Sequence, residues 1–130
     1  MITQSDIKQI LFQDFSALGM EIYTKENVPS GKITDERVVI VVGKTIPNTI
    51  WESTDVNINI AIPDLDERGL ANEIRIGEIQ GELRRYDSVC GVHDETSYLY
   101  EKKYEEVKMG DFCHYIDFCV NFQTLNTIKE

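Results

Sequence analysis

The clearest pattern in the chain is a strict alternation of apolar and polar residues that then passes into a helical period. Val56, Ile58, Ile60 and Ile62 recur at every second position, which places them on one side of an extended strand over residues 56–63. Proline has no N–H to donate to a neighbouring strand, so the strand is expected to end at residue 63. One face of this strand is therefore predicted to lie in the core.

A helix is predicted over residues 70–86, with Asp64 or Asp66 accepting its free N–H groups. At about 100° per residue its apolar and small residues fall on two opposite stripes. One stripe holds Ile76, Ile79, Leu83 and Tyr86, and the other holds Leu70, Ile74, Gly77 and Gly81. Each interior glycine costs a helix roughly 1 kcal/mol relative to alanine. The glycine stripe is therefore expected either to pack closely on the chain's own sheet or to meet a neighbouring subunit.

An opening helix is predicted from the spacing of Thr3 and Asp6, which is typical of a capping box, and it runs to about residue 18. Gly19 is suited to end it. Asp14 lies within the apolar stripe and is interpreted as a residue at the boundary of the core rather than as a catalytic carboxylate. That stripe consists of Ile7, Ile10, Leu11, Phe15 and Leu18.

The other elements are mostly strands. They are expected at residues 20–24, 37–42, 97–109 and 112–125. The last two form a long hairpin, while residues 43–54 and 87–96 are interpreted as loops. The chain is thus predicted to be one α+β domain, residues 1–130, with a mostly antiparallel sheet and both helices packed on it. Its order is helix, strands, helix, long β-hairpin.

Charge changes this picture by limiting the partners. The chain has 23 acidic and 13 basic residues in 130, a formal charge of −10. Proteins that bind the phosphate backbone of nucleic acids have a basic surface patch, so a dedicated nucleic-acid-binding protein is not expected. There is no stretch typical of a secretion signal or a membrane span. The sequence predicts a cytoplasmic protein with no membrane partner.

Cysteine and histidine are the residue types that a zinc site or a Cys-His nucleophilic pair would need. Cys90-x-x-His93 has the spacing of half a zinc site, but no second tight pair completes it. On the predicted last strand, Cys113 and His114 point to opposite faces, and His114 is expected to be a hydrogen-bonded core histidine. Cys119 is six residues beyond Cys113, too far for a disulfide in one extended strand. No metal, cofactor or catalytic residue is predicted.

The only tryptophan, Trp51, allows two interpretations. Exposed, it would anchor an interface, and buried, it would fill the edge of the core. The candidate subunit interface therefore consists of Trp51, Leu70, Ile74, Gly77 and Gly81.

The order of elements resembles the phage tail-completion or tail-terminator proteins, which cap the tail tube at its junction with the head. The resemblance lies in the opening helix 6–18, the strand 56–63 leading into the helix 70–86, and the closing strands that end in Val120-Asn121-Phe122-Gln123. It implies a non-catalytic subunit of a ring, typically six-fold, that contacts tail-tube and connector proteins. DNA would pass through the ring without specific binding, and the protein would move from the bacterial cytoplasm into the virion tail.

Two other functions remain open at this point. The chain could be a stand-alone binding or adaptor domain, monomeric or dimeric, or a small enzyme using Cys90 and His93. Native mass distinguishes the first from a ring. Stoichiometric metal or rapid alkylation of Cys90 would indicate the second.

Overall fold

A computed structural model describes residues 2–47 and 50–125. Within those ranges the helices are α1 (Gln4–Phe15) and α2 (Glu73–Leu83), each continued by one 3₁₀ turn, Ser16–Leu18 and Arg84–Tyr86. The strands are β1 (Glu21–Thr24), β2 (Arg37–Pro47), β3 (Trp51–Pro63), β4 (Ser88–His93), β5 (Thr96–Met109) and β6 (Cys113–Leu125). Neither described helix is long and apolar enough to cross a membrane.

The strands form one sheet in the order β1-β2-β3-β6-β5-β4. β1 and β2 are parallel, and every other described pair is antiparallel. The predicted α+β class, the mostly antiparallel sheet and the order of helix, strands, helix and long hairpin are confirmed. β4 is an additional strand, placed at the edge of the sheet next to β5.

Both helices contribute to one hydrophobic core on a single face of the sheet. Ile58 lies at its centre, opposite Ile40 on β2 and opposite Phe118 on β6, and all three side chains are almost completely buried. The strand face predicted from the alternation at residues 56–62 is the face that the helices cover. The buried residues of α2 are Ile76, Ile79 and Leu83, as its first stripe predicted.

The opening helix is confirmed with its cap. The Thr3 side chain accepts a hydrogen bond from the Asp6 N–H, and the Asp6 carboxylate accepts one from the Thr3 N–H at 2.8 Å. Gly19 adopts φ +75°, the left-handed conformation expected at the end of a helix. Asp14 lies at the boundary of the core, where its Oδ2 accepts a 2.6 Å hydrogen bond from the Tyr100 hydroxyl. Burial and this carboxylate both raise the pKa of Tyr100.

The prediction of a loop at residues 43–54 is wrong. β2 extends to Pro47 and β3 begins at Trp51, so most described residues of this segment lie in paired strands, and Thr45 and Thr54 share a 2.9 Å hydrogen bond between their hydroxyls. Residues 48 and 49 lie outside the described ranges. A bulge between Val42 and Thr45 interrupts the two-residue period of β2, so the sequence pattern does not indicate a continuous strand here. Gly43 sits in this bulge because a Cβ there would lie 2.8 Å from the Asp55 carbonyl oxygen.

The start of the second helix was also predicted wrongly. α2 begins at Glu73, and its cap is Asn72, whose side-chain oxygen accepts from the Arg75 N–H. The carboxylates expected to cap the helix serve elsewhere. Asp64 Oδ1 lies 2.6 Å from His114 Nδ1, so His114 is the hydrogen-bonded core histidine that was expected. The Asp66 carboxylate accepts a hydrogen bond from the Arg68 N–H within the loop that precedes α2.

The predicted loop at residues 87–96 is instead β4 and a tight turn. Asp94 and Glu95 have φ of 48° and 67°, and this turn pairs His93 with Thr96. In β5, a bulge between Lys102 and Tyr104 reverses the face of the residues that follow it. Tyr100 therefore lies in the core opposite Phe122, while Tyr104 lies on the other face opposite Cys119.

A polar network on the uncovered face ties β3, β5 and β6 together around Asp117. Its carboxylate accepts hydrogen bonds of 2.9 Å from both Asn57 Nδ2 and Lys108 Nζ. Burial opposes ionisation of Asp117, but these donors outweigh it and lower the pKa of the carboxyl. The charged form is thus favoured in the folded protein.

Asp117 should therefore make stability depend on pH. Because its folded pKa lies below its unfolded value, its contribution is complete above the unfolded pKa, near 4, and is lost as pH falls through the folded pKa. Asp117→Asn should lower the free energy of unfolding by about 1–2 kcal/mol at pH 7. Urea unfolding between pH 7 and 3 should show this gap closing in acid, and a gap that stays constant would contradict the assignment.

Candidate assembly surface

The residues predicted to form one interface lie at two ends of the molecule. Leu70, Ile74, Gly77 and Gly81 follow one another along the loop before α2 and along its outer face. Trp51 is instead the first residue of β3, at the end of the sheet where β2 ends. The structure therefore brings together four of the five candidates and separates the fifth.

Leu65, Leu70 and Ile74 form an exposed apolar surface, here called the helix-end patch. Their exposed fractions are 61%, 57% and 81%. The loop that carries them is held by a 2.8 Å hydrogen bond from Leu65 N to Leu70 O. The Asp66 carboxylate also accepts from the Leu70 N–H at 3.2 Å. These bonds fix the leucines in place, so the patch is presented on a structured loop rather than on a loose one.

A second exposed apolar surface, the hairpin-end patch, consists of Ile46, Ile50, Trp51 and Leu125. Their exposed fractions are 61%, 59%, 42% and 41%. Trp51 lies directly opposite Leu125 in the β3–β6 pair, and Ile46 lies opposite Ser53, so these side chains share one face. That face is the one away from the helices, because Trp51 is an odd number of residues from the buried Val56. Trp51 is thus exposed rather than part of the core.

The two patches lie at opposite ends of β3. This strand has 13 residues, which at about 3.3 Å per residue gives a length of about 40 Å. The hairpin-end patch surrounds its first residue, and Leu65 follows its last residue by two positions. Two further exposed apolar side chains, Met109 and Phe112, lie at the Leu65 end of the sheet.

The glycine stripe of α2 faces outward. Apart from the helix's own backbone and chain neighbours, no described atom lies within 4 Å of a Cβ built at Gly77 or Gly81. Close packing of this stripe on the chain's own sheet is therefore excluded. The glycines border a polar groove of about 490 Å³ between α2 and β5. Across it, Gln80 Nε2 donates to Glu105 Oε2 at 2.9 Å.

Gly81→Ala should stabilise the monomer, because its Cβ meets open space and alanine restricts the unfolded chain more than glycine does. We expect the free energy of unfolding to rise by about 0.5–1 kcal/mol, measured by urea unfolding. The matched control is Gly69→Ala, since Gly69 has φ +86° and a side chain there is strained. That variant should lose stability, and equal shifts in both variants would refute the helix-propensity argument.

Cys90 and His93 do not come together as a pair in the described residues. Cys90 and His93 are three residues apart on β4, so their side chains point to opposite faces. The His93 Nε2 atom instead lies 3.3 Å from Asp6 Oδ1 and 3.5 Å from Asp94 Oδ2. Cys113 and Cys119 are free and buried, and burial raises the pKa of both thiols. This geometry argues against a nucleophilic or metal-binding pair of Cys90 and His93.

Sequence reasoning missed most of the hairpin-end patch and Leu65. Ile46 lies near the end of β2 and Ile50 directly precedes β3, but with residues 43–54 interpreted as a loop neither could be assigned to a strand face. Leu125 was assigned to the last strand, but its position opposite Trp51 follows only from the β3–β6 register. The signal that could have found them is the presence of apolar residues near Pro47, with Ile46 before it and Ile50 and Trp51 after it.

Comparisons with known proteins bear on the fold. No protein-family model matches the sequence, and no curated protein matches it significantly. A solved structure matches over 100% of this chain and 100% of its own, with a TM-score of 0.68 at 9% sequence identity. The name of that protein describes no function. At this identity the likeness shows a shared fold and nothing about activity or partners.

Proposed function

We propose that the chain is a structural subunit that assembles head to tail into a closed ring, in the manner of a phage tail terminator. The observation that carries this proposal is the pair of exposed apolar patches at opposite ends of β3. In the ring, the hairpin-end patch of one subunit contacts the helix-end patch of the next. Tail-tube and connector proteins would then be the partners above and below the ring.

The position of the patches favours this type of association. A dimer with two-fold symmetry joins a surface to its own copy, so a single patch is enough for it. Two different patches about 40 Å apart suit a contact that repeats, and a rotation between subunits closes such a chain into a ring. Each large apolar side chain withdrawn from water contributes roughly 1.5–3 kcal/mol, which opposes the entropy lost on association.

The charge of the chain agrees with a passage for DNA. A formal charge of −10 per subunit repels the phosphate backbone. A ring of such subunits would let DNA slide through without holding it. The proposed role is therefore mechanical, with no catalysis.

Gly77→Leu tests the proposal on the outer face of α2. A Cβ at this position has no described neighbour within 4 Å, so the variant should fold as a monomer. The added side chain should keep the next subunit from approaching α2, and assembly should be lost. Light scattering gives the native mass, and circular dichroism checks the fold.

Gln13→Leu is the matched control, because it adds the same side chain to an exposed position on α1, away from both patches. It should keep the native mass of the unmodified protein. A Gly77→Leu protein that still has the mass of the unmodified oligomer would refute the assignment of α2 to the interface.

A further inference from the structure

A small cavity lies on the sheet face away from the helices, at the end of the molecule where β2 begins. Its volume is about 280 Å³. Apolar side chains form most of its wall, Val39 and Ala61 from the sheet and Val28 and Ile33 from the segment between β1 and β2. The space is too small for a large cofactor and suits a small molecule or a single side chain.

Arg37 lines this cavity and is 7% exposed. Its Nη2 donates to the Asp35 carboxylate, and its guanidinium lies 5.7 Å from the centre of the Tyr23 ring. Its Nε is buried and has no hydrogen-bond partner in the described residues. A buried N–H without an acceptor is unfavourable, and an arginine offers Nε and Nη2 as two parallel donors on one edge. Asp35 uses only one of them.

Two other polar groups of the cavity also have no side-chain partner. Asn59 and Tyr115 line it, and among residues 2–47 and 50–125 neither side chain makes a hydrogen bond. Asp111 lines it too and is exposed. The cavity thus combines an apolar wall with a buried arginine whose Nε lacks a partner and two uncharged residues whose side chains can donate hydrogen bonds.

We propose that this cavity binds a carboxylate carried on a small apolar group. On binding, the Arg37 side chain turns its Nε and Nη2 edge, of which Nε is buried in the unbound protein, toward the two carboxylate oxygens, and the apolar body of the ligand lies against Val39 and Ala61. A singly charged carboxylate fits better than a phosphate, because Asp35 and Asp111 would repel a second negative charge. The source is either a free small acid or an acidic side chain of a neighbouring copy.

Benzoate is the probe, with benzamide as its uncharged counterpart of nearly equal shape. Benzoate should cause saturable changes in the backbone amide NMR signals around Arg37, Ala61 and Tyr115, with a dissociation constant in the millimolar range. Benzamide should bind at least about tenfold more weakly. Equal binding of the two compounds, or no saturable change with benzoate, would overturn the proposal.

Arg37→Lys keeps the charge but removes the two-donor edge and should weaken benzoate binding about tenfold or more. Because Arg37 is buried, a second variant guards against misfolding. Ala61→Leu fills the cavity from the opposite strand and should block benzoate while leaving Arg37 in place. Unchanged benzoate affinity in a folded sample of either variant would overturn the proposal.

Native mass in the presence of saturating benzoate then identifies the source of the carboxylate. If benzoate dissociates an oligomer, the natural ligand is an acidic side chain of a neighbouring copy. If the mass is unchanged, it is a free acid. Both outcomes require that benzoate binds, so this proposal can stand or fail independently of the ring.

Discussion

Trp51→Glu and Ile74→Glu should each abolish assembly when studied alone, and mixing the two variants should restore a dimer of unlike chains. Trp51→Glu destroys the hairpin-end patch and leaves the helix-end patch intact, while Ile74→Glu does the reverse. A head-to-tail contact needs one intact patch of each kind. In the mixture the helix-end patch of the Trp51→Glu chain can bind the hairpin-end patch of the Ile74→Glu chain, and no second contact can form. Each subunit contact that is lost leaves several apolar side chains exposed to water, and a charge placed in an apolar contact is strongly unfavourable.

Native mass spectrometry of the separate and mixed variants measures this directly. Val92→Glu is the matched control, because Val92 is 68% exposed on the edge strand β4 and belongs to neither patch. It should keep the mass of the unmodified protein. A two-fold contact through one patch would give a different result, since one of the two variants would still assemble. A mixture that stays monomeric would also count against the head-to-tail contact.

Phe15→Ala should cause the largest loss of stability among single substitutions considered for this chain. Phe15 has no exposed surface, and its ring stacks on Tyr86 with 4.1 Å between the ring centroids. The centroid of its ring also lies 6.2 Å from that of Phe118. Phe15 of α1 therefore packs against both the turn after α2 and the sheet. Truncating such a residue costs about 3–5 kcal/mol through lost burial and the cavity left behind. That is a large part of the roughly 5–15 kcal/mol that stabilises a small protein.

Urea unfolding followed by circular dichroism measures the change. Phe12→Ala is the matched control on the same helix, because Phe12 is 50% exposed. It should cost less than about 1 kcal/mol. Equal losses in the two variants would mean that α1 is not packed on the sheet as described.

The sequence predicted the parts of the fold in which one regular period continues without a break. The stripe of α1 and its Thr3–Asp6 cap could be identified because a helix of 12 residues repeats its pattern several times. The face of β3 was clear because Ile58 and its neighbours alternate without interruption. The placement of Asp14 at the boundary of the core was predicted correctly, because a carboxylate inside an apolar stripe needs a donor, here the hydroxyl of Tyr100.

The parts that could not be predicted depend on irregularities and on register. Bulges at Gly43 and Lys103 reverse the alternating pattern, so β2 was cut short and β5 had no clear face. β4 is short and exposed along one edge, and its residues therefore carry little hydrophobic signal. For the candidate site, periodicity identified Ile74 and the outward stripe of α2. The distance between that stripe and Trp51 depends on the pairing of strands, which a local pattern does not contain.

The most direct test of head-to-tail assembly is the native mass of the unmodified protein across a range of concentrations, measured by light scattering. Closed rings predict a mass that rises and then stays at a fixed multiple of the 15.0 kDa chain, six if the resemblance to tail terminators extends to symmetry. Negative-stain images at the plateau should then show rings. A mass that remains that of one chain at every concentration, or that reaches a plateau at two chains, would contradict the account.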